Sequence, residues 1–416
     1  MKARISQQTF EIKYGLAPSF YDHFSCIAAD CQDNCCQNWV IPFDKADETR
    51  LRKLDVPPEY RALLDAAVQP LDPPVQNLCA KFALTSTGSC PLITEDGLCS
   101  LQICAGAEAL PEVCRVFPRK EMLTIQGKEK HLSVGCEAVL QLLWDLPQGI
   151  DFIQTDLPPE EHQSIPVAAA QYLPWYTEIR SLCIDILQER SLSLGHRMIY
   201  MGMALRDLRS FSLTQEGMAA WEQKYLSLLH DPSLAATLQG VQGNRILFLQ
   251  ENLSLIHTIK EQWCLDILLE LCLMEAPFQQ IEAIAVTDLR HLPEFYETGL
   301  TNLQNAFGDL DYFLENIMVN LVYETSLDTV LSFQQIWNNY VYLCKLYSLL
   351  RFLMGVVCAT EVDRKRLFHY LVLCGRSFVH SEIRQKDLEK AATLKNFNVE
   401  KYTTNDFGNL AILVCG

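Results

Sequence analysis

The chain has few basic residues for its length. Lysine and arginine together number 34, against 51 aspartates and glutamates, and the formal net charge of the 416 residues is −17. A surface of this sign repels phosphate backbones, so nucleic acid is not an expected partner. It would attract a basic substrate such as a lysine-bearing protein surface, although a merely soluble acidic protein has the same composition.

The sequence also lacks the short motifs of several large enzyme classes. No Gly-x4-Gly-Lys-Ser/Thr loop occurs, which argues against a P-loop nucleotidase, and no Gly-x-Gly-x-x-Gly follows a predicted strand. Neither His-Glu-x-x-His nor Gly-x-Ser-x-Gly is present. Catalytic residues and a cofactor-binding loop are therefore not identified by motif.

Long uninterrupted apolar runs are missing as well. Residues 1–8 lead into no apolar signal core, so we expect no secretion signal. The most apolar stretch, 343–359, contains Lys345 and Arg351 and is too short to span a bilayer, which predicts a buried helix. We therefore expect a cytoplasmic protein with no membrane partner. In a reducing compartment, clustered cysteines indicate metal binding rather than disulfides.

Hydrophobic periodicity predicts a mainly α fold. Phe10, Ile12 and Tyr14 alternate like a short strand, a turn at Gly127 separates two more, and Asp44 is a predicted helix N-cap. Apolar residues at three- and four-residue spacing predict helices over 44–68 with a break at its two prolines, 137–144, 168–189, 194–211, 214–229, 244–274, 289–307, 310–324, 327–359, 361–380 and 384–396.

Composition also predicts how these elements are grouped. A turn-rich connector is expected over 70–74, and a small hairpin over 89–102. The stretch 147–166 is rich in proline and acidic groups, which predicts a domain boundary near residues 150–165. We therefore expect a cysteine-rich metal-binding module with short strands over 1–150, followed by a helical bundle over 151–416.

Cysteine is the residue that the sequence has in excess. Of 17 cysteines, ten lie in the first third of the chain, and four of these fall between positions 26 and 36. A hydrophobic core does not require such a density, whereas thiolates are preferred ligands of zinc and of iron–sulfur clusters. The remaining seven lie on apolar helices or near the terminus and are predicted to be core residues: Cys183, Cys264, Cys272, Cys344, Cys358, Cys374 and Cys415.

The spacing of the clustered cysteines leaves the metal open. Two Cys-x2-Cys knuckles are missing, and no histidine lies between His23 and His131, so a ligand shell there would be dominated by thiolates. Four thiolates suit tetrahedral zinc and a cubane iron–sulfur cluster equally. Radical enzymes that use S-adenosylmethionine need Cys-x3-Cys-x2-Cys, and here Cys31-x3-Cys35 is followed by Asn38 at the third position. Inert structural thiols are the remaining alternative.

Several motifs of the chain resemble one known family. They are Cys26-x4-Cys31-x3-Cys35-Cys36-x2-Trp39 with Asp44 after it, Cys90-Pro91-Leu92, Gly97-Leu98-Cys99-Ser100-Leu101-Gln102, Leu110-x3-Cys114-Arg115-x-Phe117-Pro118-Arg119, Leu132-Ser133 with Cys136, and Leu314-Glu315-Asn316-Ile317-Met318-Val319-Asn320-Leu321. In these residues the chain resembles the flagellin lysine-N-methylase family, FliB. Two features depart from the family pattern, because Glu137 stands where the family has proline and Cys104 is an additional cysteine.

The resemblance implies a function and a set of site residues. It implies methyl transfer from S-adenosylmethionine to lysine side chains of flagellin, in a protein that carries an iron–sulfur cluster, [4Fe-4S], with zinc as the alternative. The expected thiolate ligands of one or two centres are eight cysteines: Cys26, Cys31, Cys35, Cys36, Cys90, Cys99, Cys114 and Cys136. The rival interpretations are a non-enzymatic metal-binding assembly factor and an electron-transfer or redox-sensing protein.

Overall fold

Helices dominate the protein. A computed structural model describes residues 7–37, 40–75, 77–168, 171–262, 276–324, 332–379 and 407–416. Every strand in these ranges lies between residues 7 and 168. The predicted mainly α fold with short strands near the N-terminus is confirmed, whereas the metal-binding character of that part does not follow from its fold.

The strands form three small sheets. In chain order they are β1 Gln7–Ile12, β2 Tyr14–Pro18, β3 Pro42–Asp44, β4 Val68–Val75, β5 Leu78–Phe82, β6 Arg119–Leu123, β7 Lys128–Leu132, β8 Phe152–Asp156 and β9 Gln163–Ala168. The sheet orders are β1-β9, β6-β7-β2-β8 and β3-β5-β4. Only the β2–β7 pair among them is parallel. The second sheet therefore joins strands on both sides of the cysteine-rich region.

The described α-helices begin at residue 45, and strands β4 to β9 lie between those of the front part. They are α1 Lys45–Lys53, α2 Pro58–Ala67, α3 Ser100–Ala105, α4 Glu112–Val116, α5 Glu137–Trp144, α6 Tyr176–Gln188, α7 Leu194–Asp207, α8 Gln215–Leu229, α9 Pro232–Gln239, α10 Arg245–Gln262, α11 Ala276–Thr287, α12 Leu292–Phe307, α13 Asp311–Glu324, α14 Phe333–Cys358, α15 Arg364–Val379 and α16 Phe407–Cys415. The predicted helix over 384–396 and the cysteines Cys264 and Cys272 lie outside the described residues.

Local rules explain the helices of the front part. The Asp44 side chain accepts a hydrogen bond from the Asp47 N–H at 2.9 Å, so the predicted N-cap of α1 is confirmed. Pro57 and Pro58 separate α1 from α2, because proline is tolerated in the first turn of a helix and not in its interior.

One prediction in this part is wrong, and another holds only over a shorter stretch. The connector expected over 70–74 belongs to strand β4, whose prolines are tolerated because β4 lies at the edge of its sheet. The hairpin expected over 89–102 is present in a shorter form: Ile93 and Cys99 form an antiparallel bridge, the Thr94 N–H donates to the Leu98 carbonyl oxygen at 2.8 Å, and α3 begins at Ser100. The turn itself is present, since Gly97 adopts a φ of +75°.

The buried apolar residues of the described ranges form two cores. The larger joins Phe20 and Leu132 of the front part to the helices from α6 onward, and the smaller lies within residues 41–110. The stretch 147–166 includes β8 and part of β9, which pair with β2 and β1. The division of the chain near residue 150 stays a prediction.

Helix α14 passes through the larger core. Among the described residues, it is the one helix long and apolar enough to cross a membrane, and 89% of its most apolar window is buried inside the protein. The burial agrees with the predicted buried helix over 343–359.

The motif around residues 314–321 connects α13 to the front part. The Asn316 side-chain amide donates to the carbonyl oxygens of Leu143 and Leu146 at 2.9 and 2.8 Å. The Leu143 carbonyl lies in the last turn of α5, where the helix itself provides no N–H partner, and Leu146 lies just beyond the helix. The Asn320 amide donates to the Leu132 carbonyl oxygen at 3.0 Å. In this structure the two asparagines fix the chain on either side of Cys136.

Candidate functional site

The loop 31–37 is anchored by a carboxylate of the front part. Glu137 Oε2 accepts hydrogen bonds from the Gln32 and Asp33 N–H groups at 2.8 and 3.2 Å. The Cys31 Sγ lies 3.6 Å from the same oxygen. Proline, which the family pattern has at position 137, offers no side-chain acceptor. Glu137, the residue that departs from the family pattern, therefore supplies the contact that holds the loop.

A second anchor for the loop comes from α15, more than 300 residues away. The Arg376 guanidinium donates to the carbonyl oxygens of Asp33, Asn34 and Gln37 and, at 3.0 Å, to that of Gly135. Sequence patterns did not identify this residue, since its only signal was an arginine late in an apolar helix.

A histidine of α15 also contacts the loop. The His369 Nδ1 lies 2.6 Å from Asp33 Oδ1, and Asp33 is buried. His369 and Arg376 lie seven positions apart, so both project from the same face of the helix. Helix α15 therefore holds the loop in two ways, through the Asp33 carboxylate and through backbone carbonyl oxygens of the loop.

Five predicted ligands are neighbours, and we call Cys35, Cys36, Cys90, Cys99 and Cys114 the five-cysteine cluster. Cys90 is buried in the smaller core, and three of the others pack against that core. The Cys90 N–H donates to the Cys36 carbonyl oxygen at 2.7 Å. The structure thus brings the loop 31–37 onto the segment that carries Cys90 and Cys99.

The thiols of the five-cysteine cluster lie close enough to influence one another. A hydrogen bond with Cys35, and then burial, raise the pKa of the Cys36 thiol. Burial raises the pKa of Cys114, and three other cysteines of the cluster raise it further. The hydrogen bond from Cys36 lowers the pKa of Cys35 to about 7. Ionisation of one thiol therefore disfavours ionisation of the others unless a cation compensates the charge.

The other three predicted ligands have different surroundings. Burial and then the Glu137 carboxylate raise the pKa of Cys31, with a smaller increase from Cys136. Burial raises the pKa of Cys136 to about 11. Cys26 is exposed, and its Sγ accepts a hydrogen bond from the Ala28 N–H at 3.4 Å. Cys31 and Cys136 meet beside Glu137, and Cys26 lies at the surface.

The cysteine side chains have the right ligand chemistry for a metal, but they are not arranged around a common point. Among the described residues, no group of three or more histidine, cysteine, aspartate or glutamate side chains is placed to hold one metal ion. The five-cysteine cluster nevertheless has the donor chemistry of a soft ion, with several partly buried thiols. Binding of an ion would require these side chains to turn toward a common point. The assignment of the eight cysteines as ligands stays a prediction.

A buried polar group lies between β7 and α6 and was not predicted. Arg180 donates to both carboxylate oxygens of Glu129 at 2.7 and 2.8 Å, and both residues are buried. The His131 ring lies 4.6 Å from the Tyr323 ring, and neither of its nitrogens has a hydrogen-bond partner among the described residues. Because these groups are buried, we interpret them as a structural link between the front part and the helices.

Because His131 is buried, we expect the protein to lose stability in acid. Burial, with smaller effects of Lys120 and Arg180, lowers the pKa of His131 to about 3. The unfolded chain has a histidine pKa of about 6.5 and so binds a proton that the native state excludes. Stability therefore falls as the pH falls below the unfolded value, by about 2 kcal/mol from this group between pH 7.5 and 5. Urea unfolding at the two pH values measures it.

The matched variant for this prediction is His131→Phe, which keeps a ring beside Tyr323 and removes the titrating group. Its unfolding free energy should fall by about 2 kcal/mol less than that of the native chain over the same pH range. His23→Gln, at an exposed position, is the control for the removal of a histidine as such. Equal pH dependence in His131→Phe and the native chain would contradict the buried neutral histidine.

A small apolar cavity lies between the front part and the helices. Its lining includes Val134 of the front part, Leu321 of α13, Leu350 of α14 and Leu371 of α15. Apolar side chains supply most of its wall, so it offers little to a charged sulfonium or an amino-acid group.

Comparison with known proteins identifies the helical part. The FliB lysine N-methylase C-terminal domain matches residues 180–405, which is more than half of the chain. The chain belongs to the FliB lysine N-methylase family. The resemblance carried by the sequence motifs is thereby confirmed, and α15 with Arg376 lies inside the matched domain.

Individual relatives match shorter segments. The chain is 30% identical over 162 residues to a lysine-N-methylase of Salmonella choleraesuis, covering 37% of this chain and 38% of that protein. It is 28% identical over 162 residues to a lysine-N-methylase of Salmonella typhimurium, with the same coverage. It is 32% identical over 141 residues to the flagellar biosynthetic protein FliU of Salmonella muenchen, covering 32% of this chain and 78% of that protein.

These matches have a limited extent. The chain spans only 38% of the length of the lysine-N-methylases that it matches. No solved structure matches the chain.

Proposed function

We propose that this member of the FliB family is a cytoplasmic protein-lysine N-methyltransferase that uses S-adenosylmethionine and acts on flagellin. The observation that carries the proposal is the match of the FliB lysine N-methylase domain to residues 180–405. Relatives named lysine-N-methylase and FliU support the reaction and the flagellar substrate. The net charge of −17 favours a substrate surface that carries lysine.

The reaction is a polar displacement. The lone pair of the lysine Nζ forms a bond to the methyl carbon while the bond from that carbon to the sulfonium sulfur breaks, and S-adenosylhomocysteine leaves. The nitrogen then loses a proton. The amine must be neutral to attack, so the enzyme has to exclude water from it and align it with the methyl group. The apolar cavity lined by Leu321 and Leu350 is not our candidate for the donor site, because so little of its wall is polar.

We propose that the five-cysteine cluster is the metal centre. Four of its thiols would hold a [4Fe-4S] cluster, with zinc as the alternative. The shared position of Cys36, Cys90, Cys99 and Cys114 at the smaller core supports this choice over Cys26, Cys31 and Cys136. Such a centre would cross-link the front part, as structural metal sites do in small modules. A radical role is not proposed, since Asn38 interrupts the required cysteine loop.

A methyl-transfer assay tests the function. Protein purified without oxygen is incubated with flagellin and S-adenosylmethionine labelled in the methyl group, and the modified residues are mapped by mass spectrometry. We expect label on lysine side chains and S-adenosylhomocysteine as the second product. Transfer without label on lysine, or 5′-deoxyadenosine among the products, would contradict the proposed chemistry.

The visible spectrum separates the metals and the rival functions. Iron–sulfur clusters absorb broadly in the visible range, whereas zinc sites do not. A protein that binds metal but transfers no methyl group to flagellin would favour the non-enzymatic assembly factor or the redox-sensing protein.

A further inference from the structure

Arg376 contacts the backbone on both sides of the predicted ligands. Its guanidinium reaches the carbonyl oxygens of Asn34 and Gln37, at 3.3 and 3.4 Å, and these residues flank Cys35 and Cys36. Its Nε donates at 3.0 Å to the carbonyl oxygen of Gly135, the residue before Cys136. One side chain therefore ties together two segments that are 100 residues apart in the sequence.

The geometry of these contacts requires arginine. The planar guanidinium presents several N–H donors in fixed directions, and here they meet four carbonyl oxygens from residues 33, 34, 37 and 135. Arg376 is 4% exposed, so water cannot replace these bonds easily. Lysine could keep the charge at this place but could not satisfy the same set of acceptors.

The charge of Arg376 also lies beside the five-cysteine cluster. Its guanidinium is bonded to the carbonyl oxygens of Asn34 and Gln37, the residues on either side of Cys35 and Cys36. A zinc ion or a [4Fe-4S] cluster ligated by four thiolates carries a net negative charge. A buried arginine beside such a centre therefore compensates its charge, whichever of the two metals is bound.

We propose that Arg376 is a positioning residue of the metal centre, which holds the loop 33–37 and Gly135 in place and compensates the charge of the thiolates. The inference rests on the proposed metal centre in the five-cysteine cluster. It assigns to the C-terminal domain of the family a direct part in forming a centre whose ligands all lie in the front part.

The test uses Co²⁺ and Zn²⁺ as probes of the full-length, reduced, metal-free protein. Co²⁺ bound to thiolates gives charge-transfer absorption that reports how many sulfurs coordinate, and competition with Zn²⁺ gives the relative affinity. We expect Arg376→Gln to weaken binding by about 10- to 100-fold, the usual effect of losing a residue that supports metal ligands. Arg376→Lys should recover part of this loss, because it restores the charge without the bonds.

The matched control is Arg351→Gln. Arg351 also donates to backbone carbonyl oxygens, those of Val414 and Gly416 at 2.9 and 3.2 Å, but far along the chain from the predicted ligands. This variant should bind Co²⁺ like the native chain. Near-ultraviolet circular dichroism checks folding. If Arg376→Gln does not fold, the inference is tested with Arg376→Lys alone, which should bind Co²⁺ more weakly than the native chain.

The outcomes separate this inference from the proposed function. Native affinity in every folded variant at position 376 would overturn the role of Arg376 and leave the metal centre standing. Failure of the native chain itself to bind either ion, or to assemble a cluster from iron and sulfide, would overturn the metal centre and this inference together. Equal losses in Arg376→Gln and Arg351→Gln would also overturn the positioning role, since they would indicate a general effect of stability.

Discussion

Replacing Glu315 by glutamine is expected to lower the free energy of unfolding by about 3 to 5 kcal/mol. Glu315 is buried, and its Oε2 lies 2.6 Å from the Nη1 of Arg197, which is 2% exposed. Arg190 donates to both oxygens of the same carboxylate. Glutamine has nearly the same shape but no charge, so the Arg197 guanidinium would remain buried and uncompensated. Urea unfolding of the variant and the native chain measures the difference.

Two further variants identify the cause of this loss. Glu361 pairs with Arg366 at the surface with its side chain 71% exposed, and Glu361→Gln should change stability by less than about 1 kcal/mol. The double variant Glu315→Leu with Arg197→Met removes both buried charges and should recover much of the loss. A loss below about 1 kcal/mol in Glu315→Gln would show that the pair does not depend on its charge.

The Glu315 pair also explains why a motif of the family falls in α13. Glu315, Asn316 and Asn320 lie on a helix whose buried face meets α5, α6 and β7. From the sequence these residues were only a pattern, since polar side chains in an apolar helix suit catalysis and structure equally. Their partners are carbonyl groups and arginines from distant parts of the chain, and only the tertiary structure shows them.

The fold was predictable where local rules decide it. The periodicity of apolar residues located α5, α8 and α13 within about one residue, because one buried face and a polar end are sufficient to define a helix. Strand β4 was missed because three prolines within residues 68–75 indicate a turn, and only its edge position in the sheet makes the strand possible. Helix α6 begins at Tyr176 and not at residue 168 as predicted, because β9 and a proline at 174 precede it.

The candidate site was predictable only in its chemistry. The density of cysteines indicates a soft metal, but sequence spacing does not show which sulfurs meet. In the structure, Cys90 and Cys114 share the smaller core with Cys36, whereas Cys26 stays at the surface. The sequence did not show that Glu137 and Arg376 hold the loop. Hydrogen bonds to backbone carbonyl and N–H groups leave no motif, because nearly any residue supplies these partners.

Serine at Cys90, Cys99 or Cys114 is expected to abolish stable metal binding. Each substitution removes one thiolate from the proposed centre, and loss of a direct ligand should cost at least the 10- to 100-fold that loss of a supporting residue costs, so we expect about 100-fold or more. Metal content per purified chain measures the result. In the native chain a chelator should lower the melting temperature, because metal binding stabilises the folded state, and in these variants it should not.

Two other cysteines separate the loss of metal from a loss of stability. Cys104 is half-buried in the same part of the chain but lies outside the five-cysteine cluster, so Cys104→Ser should keep native metal content. Cys358 is buried in the larger core, and Cys358→Ser should lower stability without changing the metal content. Native metal content in all three cluster variants would show that the thiols meet as neighbours in a core and hold no ion, and the centre would then have to be sought at Cys31 and Cys136.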